Sequence, residues 1–172
     1  GCITDEMLTH KKEVIKKGID LNKPKKNDAI DVLQKVGGLD LAAMCGVFLG
    51  AASCKIPVVI DGYISIVAAL CASRLCPLSS CYFFPSHLSE EAGYKFAMTE
   101  LSLVPYLNLR MRLGEGSGCP LAFEIMDAAC VIMNEMATFQ QAKINDSYLD
   151  EVREGKPSPC ATLRCATPPL ET

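Results

Sequence analysis

The stretch Ile56–Ile64 reads IPVVIDGYI, in which a short β-branched run ends in Asp-Gly and leads into an apolar helical pattern. Such a run is typical of a buried strand in a parallel sheet. The same order of strand, loop and helix occurs twice more, starting at Cys81 and at Pro105. This alternation predicts an α/β fold, with a parallel sheet and crossover helices on its faces.

The remaining periodicity predicts the other elements of the chain. Strands are expected over 56–60, 81–84 and 105–109, and helices over 4–20, 28–37, 39–53, 64–75, 90–101 and 120–139. Thr4 and Asn27 or Asp28 are the expected N-caps, and Glu90 and Glu91 are expected in the first turn of their helix. Three parallel strands are few for helices this apolar, so the chain is expected to be part of a larger domain.

The three strand-to-helix loops are expected to meet at one edge of the sheet. Right-handed crossovers place these loops at the carboxyl edge, where open α/β sheets bind ligands. The polar residues that would converge there are Asp61, His87, Ser89, Glu115 and Ser117.

Charge and hydropathy indicate which classes of binding partner the chain can have. The net charge is -3 and 22% of residues are charged, so no strong field favours nucleic acid or a membrane surface. The longest uncharged apolar stretches, 41–54 and 62–73, are too short to span a bilayer, and residues 1–8 do not resemble a secretory signal. A small-molecule partner is therefore expected.

The cysteines predict a reducing compartment. Cys45, Cys54, Cys71 and Cys130 lie in apolar runs, where cysteine acts as a small buried hydrophobic residue. The chain has two histidines and no C-x-x-C pair, so a zinc site is not expected. These features favour the cytoplasm.

The glycine-rich segment Gly114–Gly118 is the most informative local motif. Glycines let backbone N–H groups approach an anion at the start of the following helix, although such a segment can also be a tight connection. Its G-x-G-x-G spacing matches neither a dinucleotide fingerprint nor a P-loop, which weakens the interpretation as an oxidoreductase. Glu115 opposes anion binding; it is either a general base or a solvated loop carboxylate.

Three other residues each have two interpretations. Lys11 can bind a phosphate or be one exposed lysine of a lysine-rich helix. Asp61 can orient a ribose hydroxyl or cap the helix that follows. His87 can act as a base or stabilise its loop through a hydrogen bond.

Four separated motifs together resemble one enzyme family, the nicotinate-nucleotide:dimethylbenzimidazole phosphoribosyltransferases. They are Val36–Met44 (VGGLDLAAM), Ile56–Ile64, Met111–Gly118 (MRLGEGSG) and Glu135–Phe139 (EMATF), in the family's order. The resemblance covers residues 4–142 and corresponds to the family's C-terminal half.

The resemblance implies a Rossmann-like α/β fold, a homodimer and a transfer reaction without metal or redox cofactor. Phosphoribose would pass from nicotinate mononucleotide to 5,6-dimethylbenzimidazole, giving α-ribazole phosphate and nicotinate for the lower nucleotide of cobalamin. Glu115 matches the family's base and Lys11 its phosphate-contacting lysine. The substrate-binding set that we infer comprises Lys11, Asp61, Gly62, Ser89, Leu113, Gly114, Gly116, Ser117 and Gly118.

The family is about twice as long, which leaves a second interpretation open. A non-catalytic nucleotide-binding or interaction remnant would keep the fold and lack the acceptor pocket supplied by the N-terminal half. We assign residues 1–145 to the phosphoribosyltransferase domain, and residues 146–172, which are polar and contain prolines, to a mobile tail.

Overall fold

The computed structural model describes residues 4–111 and 113–144. Its elements are α1 (Asp5–Asn22), α2 (Ala29–Val36), α3 (Leu39–Ser53), β1 (Val58–Ile60), α4 (Tyr63–Leu75), a 3₁₀ helix (Pro77–Tyr82), β2 (Phe83–Pro85), α5 (Ala92–Leu101) and α6 (Cys119–Glu135). Two compact units divide the chain: the first ends at Phe123 and the second begins at Glu124. The proposed tail lies outside the described residues and stays a prediction.

Side-chain caps start the first two helices where the sequence predicts them. The Thr4 hydroxyl accepts a hydrogen bond from the Met7 amide at 3.4 Å. The Asp28 carboxylate accepts from the amides of Ile30 and Asp31, both at 3.1 Å. The expected start of α5 is wrong, because Glu91 is its N-cap and both glutamates precede its first turn.

The sheet pairs β1 with β2 in parallel. Val58 lies opposite Phe83, and Ile60 lies opposite Pro85. Helix α4 connects the two strands and packs against α3 and α5. This arrangement confirms the predicted α/β class with parallel strands and flanking helices.

The predicted third strand is wrong as a strand. Leu107 forms an isolated parallel bridge with His87: its amide donates to the Ser86 carbonyl at 3.1 Å, and its carbonyl accepts from the Leu88 amide at 2.7 Å. Arg110 has φ 52°, a left-handed conformation that interrupts extended pairing. The segment still runs beside β2 and leads into the glycine-rich loop.

The hydrophobic core lies between α3, α4, α5 and the two strands. Three alanines of α4, Ala68, Ala69 and Ala72, are fully buried. The rings of Phe48 and Phe83 meet edge to face, with centroids 4.9 Å apart. Small side chains on α4 allow close approach of α3, which lets Phe48 reach the sheet.

The cysteine predictions are confirmed in part. Cys45 is a buried free thiol and Cys71 a half-buried one, whereas Cys54 and Cys130 are exposed. Burial raises the pKa of Cys45 and Cys71, so both thiols stay protonated. These two act as the small apolar side chains expected of them.

Apolar helix faces are left exposed, as the composition predicts. On α1 the exposed set includes Met7, Val14, Ile15 and Leu21, and Leu121 and Phe123 are exposed at the start of α6. Contiguous apolar surface of this kind marks a contact with further protein or ligand. Among the described helices, none combines the length and hydropathy needed to cross a bilayer.

We expect Phe48→Ala to lower the free energy of unfolding by about 3–5 kcal/mol, because it removes a buried ring and leaves a cavity. The matched control is Phe96→Ala, since Phe96 is 75% exposed and Phe48 only 3%. The control should change stability by roughly 0.5 kcal/mol or less. Urea unfolding followed by circular dichroism measures both, and equal losses would contradict this description of the core.

Candidate active site

Asp61 joins the carboxyl end of β1 to the glycine-rich loop. It follows the last residue of the strand and is 7% exposed. One carboxylate oxygen accepts from the Gly116 amide at 3.0 Å, and the other accepts from the Gly118 amide at 2.8 Å. The sequence left open whether this loop binds an anion or is a tight connection, and two of its N–H groups bind this internal carboxylate.

The alternative in which Asp61 caps α4 is wrong. Gly62 occupies the N-cap position, and no side chain caps the helix there. The Ser65 hydroxyl instead accepts from the Asp61 amide at 3.1 Å and donates to the Gly62 carbonyl at 2.8 Å. Ser65 thus stabilises the turn between strand and helix, which leaves the Asp61 carboxylate for the loop.

The end of β2 places a histidine against the same carboxylate. His87 is 1% exposed, and its Nδ1 lies 3.7 Å from Asp61 Oδ1. The Ser86 hydroxyl gives its single hydrogen to the Ile60 carbonyl at 2.7 Å, so it accepts from His87 Nδ1 at 3.0 Å. His87 Nδ1 therefore carries a hydrogen. These contacts match the interpretation of His87 as a loop-stabilising residue.

Three consecutive residues of the loop adopt left-handed backbone. Gly114 has φ 76°, Glu115 has φ 59° and Gly116 has φ 79°. Glycine accepts this conformation readily, whereas a residue with a Cβ does so at a cost of roughly 1–2 kcal/mol. Asp61 anchors the residues that follow Glu115, and these contacts compensate the conformational cost of the left-handed backbone at Glu115. Backbone strain that is held by its surroundings in this way is typical of functional sites.

Glu115 presents its carboxylate to solvent from this anchored loop. Its side chain is exposed and has no hydrogen-bond or ion-pair partner among the described residues. The Ser117 amide donates to the Gly114 carbonyl at 3.1 Å, which closes a turn around Glu115. The carboxylate is therefore available to a molecule that binds at this edge.

Gly118 must lack a side chain for the loop to reach Asp61. A Cβ on Gly118 would overlap the His87 ring and lie 2.9 Å from Ser86 Oγ. Gly62 and Gly114 also come close, since a Cβ on Gly62 would lie 3.8 Å from the Gly114 Cα. The loop thus packs directly on the ends of both strands.

Three buried polar atoms around this site have no partner among the described atoms. They are His87 Nε2, the Tyr94 hydroxyl and Ser117 Oγ. The rings of His87 and Tyr94 are stacked, with centroids 6.4 Å apart. Buried polar atoms nearly always have partners, so these positions are where ordered water or a bound polar group is expected.

The negative charge of Asp61 affects its neighbours. Burial first, and then the Asp61 charge, raise the pKa of the Tyr94 hydroxyl and of the Cys119 thiol. Both groups stay protonated at neutral pH and can donate but not act as bases. Neither was singled out from the sequence, because nothing in an isolated tyrosine or cysteine indicates its partner.

The remaining predicted site residues are placed less tightly. Ser89 is buried and its hydroxyl accepts from the Glu91 amide at 3.4 Å, while Leu113 is 73% exposed. Lys11 lies on the exposed surface of α1, next to His10. Within residues 4–111 and 113–144, no hydrogen bond or ion pair joins Lys11 to the loop. Its role in phosphate binding stays a prediction.

We expect Gly118→Ala to destabilise the protein by about 1–3 kcal/mol, because the new methyl group must displace the loop from His87 and Asp61. Gly46→Ala is the matched control, since Gly46 lies within α3 and a Cβ there meets nothing within 4 Å. That change should stabilise by about 0.5–1 kcal/mol. Opposite signs in thermal unfolding support the packing, and a neutral Gly118→Ala would contradict it.

Comparison with known proteins places this arrangement in a family. A family model described as phosphoribosyltransferase matches residues 1–144. Nicotinate-nucleotide–dimethylbenzimidazole phosphoribosyltransferase of Clostridium perfringens strain 13 is 50% identical over 154 residues, which are 90% of this chain and 43% of that protein. The protein of the same name from Escherichia coli strain SE11 is 50% identical over 139 residues, covering 81% and 39%.

A solved structure agrees with the match. The crystal structure of CobT from Thermus thermophilus superposes with a TM-score of 0.77 at 32% identity, over 84% of this chain and 43% of that one. The chain thus spans about two fifths of the length of the curated relatives it matches. Because the family model spans most of the sequence, the chain belongs to the phosphoribosyltransferase family, alongside nicotinate-nucleotide–dimethylbenzimidazole phosphoribosyltransferases.

Proposed function

We propose that this protein transfers phosphoribose from nicotinate mononucleotide to 5,6-dimethylbenzimidazole, with Glu115 as the general base. The observation that carries the proposal is the loop around Glu115. Its flanking glycines are left-handed, its C-terminal side is bound to Asp61, and the Glu115 carboxylate is exposed without a described partner. A carboxylate held on such a loop, at the carboxyl edge of a parallel sheet, is suited to meet a bound substrate.

The reaction assigns a specific task to Glu115. The azole nitrogen of dimethylbenzimidazole gives its proton to the Glu115 carboxylate as the nitrogen bonds to C1′ of the ribose. The bond between C1′ and the pyridine nitrogen breaks, and its electron pair leaves with nicotinate. The products are α-ribazole phosphate and nicotinate, and the proton passes from Glu115 to solvent. General-base assistance typically contributes roughly 10²–10⁴ in rate, so positioning of the two substrates must supply much of the remainder.

Phosphate binding is assigned to Lys11. A lysine ammonium binds phosphate oxygens through charge-assisted hydrogen bonds, and Lys11 lacks a described partner that would compete for it. Ser89 and residues 113–118 of the glycine-rich loop complete the proposed binding surface. Gly62 also belongs to this surface, because the turn after β1 approaches Gly114 there. Asp61 contacts this surface through its hydrogen bonds to the loop. A contact between Asp61 and the ribose of the substrate is also part of the proposal.

The chemistry proposed here uses no metal ion or redox cofactor, since proton transfer and substitution at C1′ need neither. We further propose that the protein works in the cytoplasm as a homodimer. The free buried thiol of Cys45 and the half-buried one of Cys71 support a reducing compartment. The exposed apolar faces of α1 and α6 support contact with further protein.

One observation favours a second candidate function. The matched region is 43% of the Clostridium perfringens protein. A chain with this region alone would bind the nucleotide without supplying the whole acceptor pocket, and would be a nucleotide-binding remnant. Binding without turnover distinguishes this candidate from the enzyme.

We expect Glu115→Gln to lower kcat for nicotinate release by roughly 10²–10⁴, because the amide cannot accept the azole proton. Glu124→Gln is the matched control, since Glu124 is also an exposed glutamate but lies on α6. The control should keep its activity. The assay follows nicotinate release by chromatography with both substrates present. Undiminished activity of Glu115→Gln would refute its role as base.

Lys11→Met is expected to weaken the apparent affinity for nicotinate mononucleotide by roughly 10- to 100-fold, because one charged hydrogen bond to phosphate is lost. Lys12→Met is the control, since adjacent helix positions face different directions. Calorimetry measures binding even if the chain does not turn over. Nucleotide binding that depends on Lys11 in an inactive protein would favour the remnant, whereas equal effects of both changes would exclude Lys11 as the phosphate ligand.

A further inference from the structure

We propose that Asp61 is a positioning residue of the transfer reaction, whose carboxylate sets the orientation of Glu115 by holding the peptide groups at Gly116 and Gly118. This inference rests on the proposed function, because it takes Glu115 to be the base. It differs from the substrate-binding role first expected of Asp61, since the residue would act on the reaction through the loop.

One of the two amides that Asp61 binds is covalently linked to Glu115. The Gly116 N–H that Asp61 Oδ2 holds at 3.0 Å belongs to the peptide unit that begins at the Glu115 Cα. A peptide unit is planar, so an N–H that is held in place restricts the positions open to that Cα. Asp61 therefore acts on the backbone of the proposed base, one peptide away from its side chain.

Asp61 attaches the loop at two points. A single hydrogen bond would let the peptide unit rotate about it. Asp61 Oδ1 also accepts from the Gly118 amide at 2.8 Å, so the segment 116–118 is held at both ends. Both distances are typical of well-formed hydrogen bonds to a carboxylate.

Asp61 itself is held in place by its neighbours. The carboxylate is buried, and the backbone on either side is held by Ser65. His87 lies against Oδ1 and is in turn held by Ser86 and stacked on Tyr94. Gly118 has no Cβ to separate the loop from this group. The ends of both strands thus position the carboxylate, and the carboxylate positions the loop.

The alternative is that Asp61 serves substrate binding and the loop would hold its shape unaided. Three successive left-handed residues argue against this, because the backbone of Glu115 prefers other conformations. If residue 61 can no longer accept hydrogen bonds from both amides, the loop is expected to leave this conformation.

The test compares the wild-type chain with Asp61→Asn, Asp61→Glu and the control Asp20→Asn, an exposed aspartate on α1. Asparagine keeps one acceptor oxygen but presents an NH₂ group to the second amide. Glutamate keeps both acceptors on a longer side chain. The first readout is hydrogen–deuterium exchange of the Gly116 and Gly118 amides, resolved by NMR, which needs no catalytic activity.

We expect the two amides to be protected in the wild type and in Asp20→Asn, and to exchange at least about tenfold faster in Asp61→Asn than any loss of its global stability accounts for. Asp61→Glu should recover part of the protection. Unprotected Gly116 and Gly118 amides in the wild type would overturn the proposal. That wild-type outcome would overturn the proposal even if Asp61→Asn does not fold.

The second readout separates positioning from substrate contact. A misplaced base should lower kcat on the order of 10²-fold and leave KM for nicotinate mononucleotide nearly unchanged. A raised KM with unchanged kcat and unchanged amide exchange would show that Asp61 binds substrate and does not position the loop. If the wild-type chain is inactive, the proposed function fails while the exchange data still test the attachment of the loop.

Discussion

The structure depends on one buried carboxylate. Asp61 stands where β1 ends, and its two oxygens accept the Gly116 and Gly118 amides. A buried carboxylate is costly unless hydrogen bonds compensate it, and buried N–H groups are costly unless they find an acceptor. The Asp61 carboxylate and the two amides are each other's hydrogen-bond partners, although they lie far apart in the sequence. The contact therefore joins the sheet and the glycine-rich loop into one site.

Other features of the first unit serve this contact. Ser65 holds the turn after β1, so the carboxylate is not used as a helix cap. Ser86 binds the Ile60 carbonyl and thereby places His87 against Asp61. The alanines of α4 let the helices close over a sheet of two described strands.

Local chemistry made much of the fold predictable from sequence. Thr4 and Asp28 are caps whose effect is confined to the next turn, and both were identified. The strand over 105–109 was not predictable in the same way. Its composition suits a strand, but Arg110 adopts a left-handed conformation and only Leu107 completes a bridge to His87. That outcome depends on tertiary contacts, which residue types alone do not encode.

The sequence singled out several of the residues that the structure brings together at this edge of the sheet, but not the contacts between them. The glycines and Glu115 indicated a loop built for close approach, and the strand end indicated Asp61. The residue types left open whether the loop binds an anion or only makes a tight connection, and the protein itself supplies a carboxylate to it at Asp61. Ser86 and Tyr94 were missed, because their importance lies in the His87 ring that they contact. In this chain, such contacts connect the strand ends to the loop that carries the proposed base.

The most direct test of this account is an NMR measurement of scalar couplings across hydrogen bonds in the wild-type chain labelled with ¹³C and ¹⁵N. The account predicts correlations from the amide nitrogens of Gly116 and Gly118 to the side-chain carboxyl carbon of Asp61. Correlations from these amides to other carbonyl carbons would contradict it, because the loop that carries Glu115 would then be held by something other than Asp61.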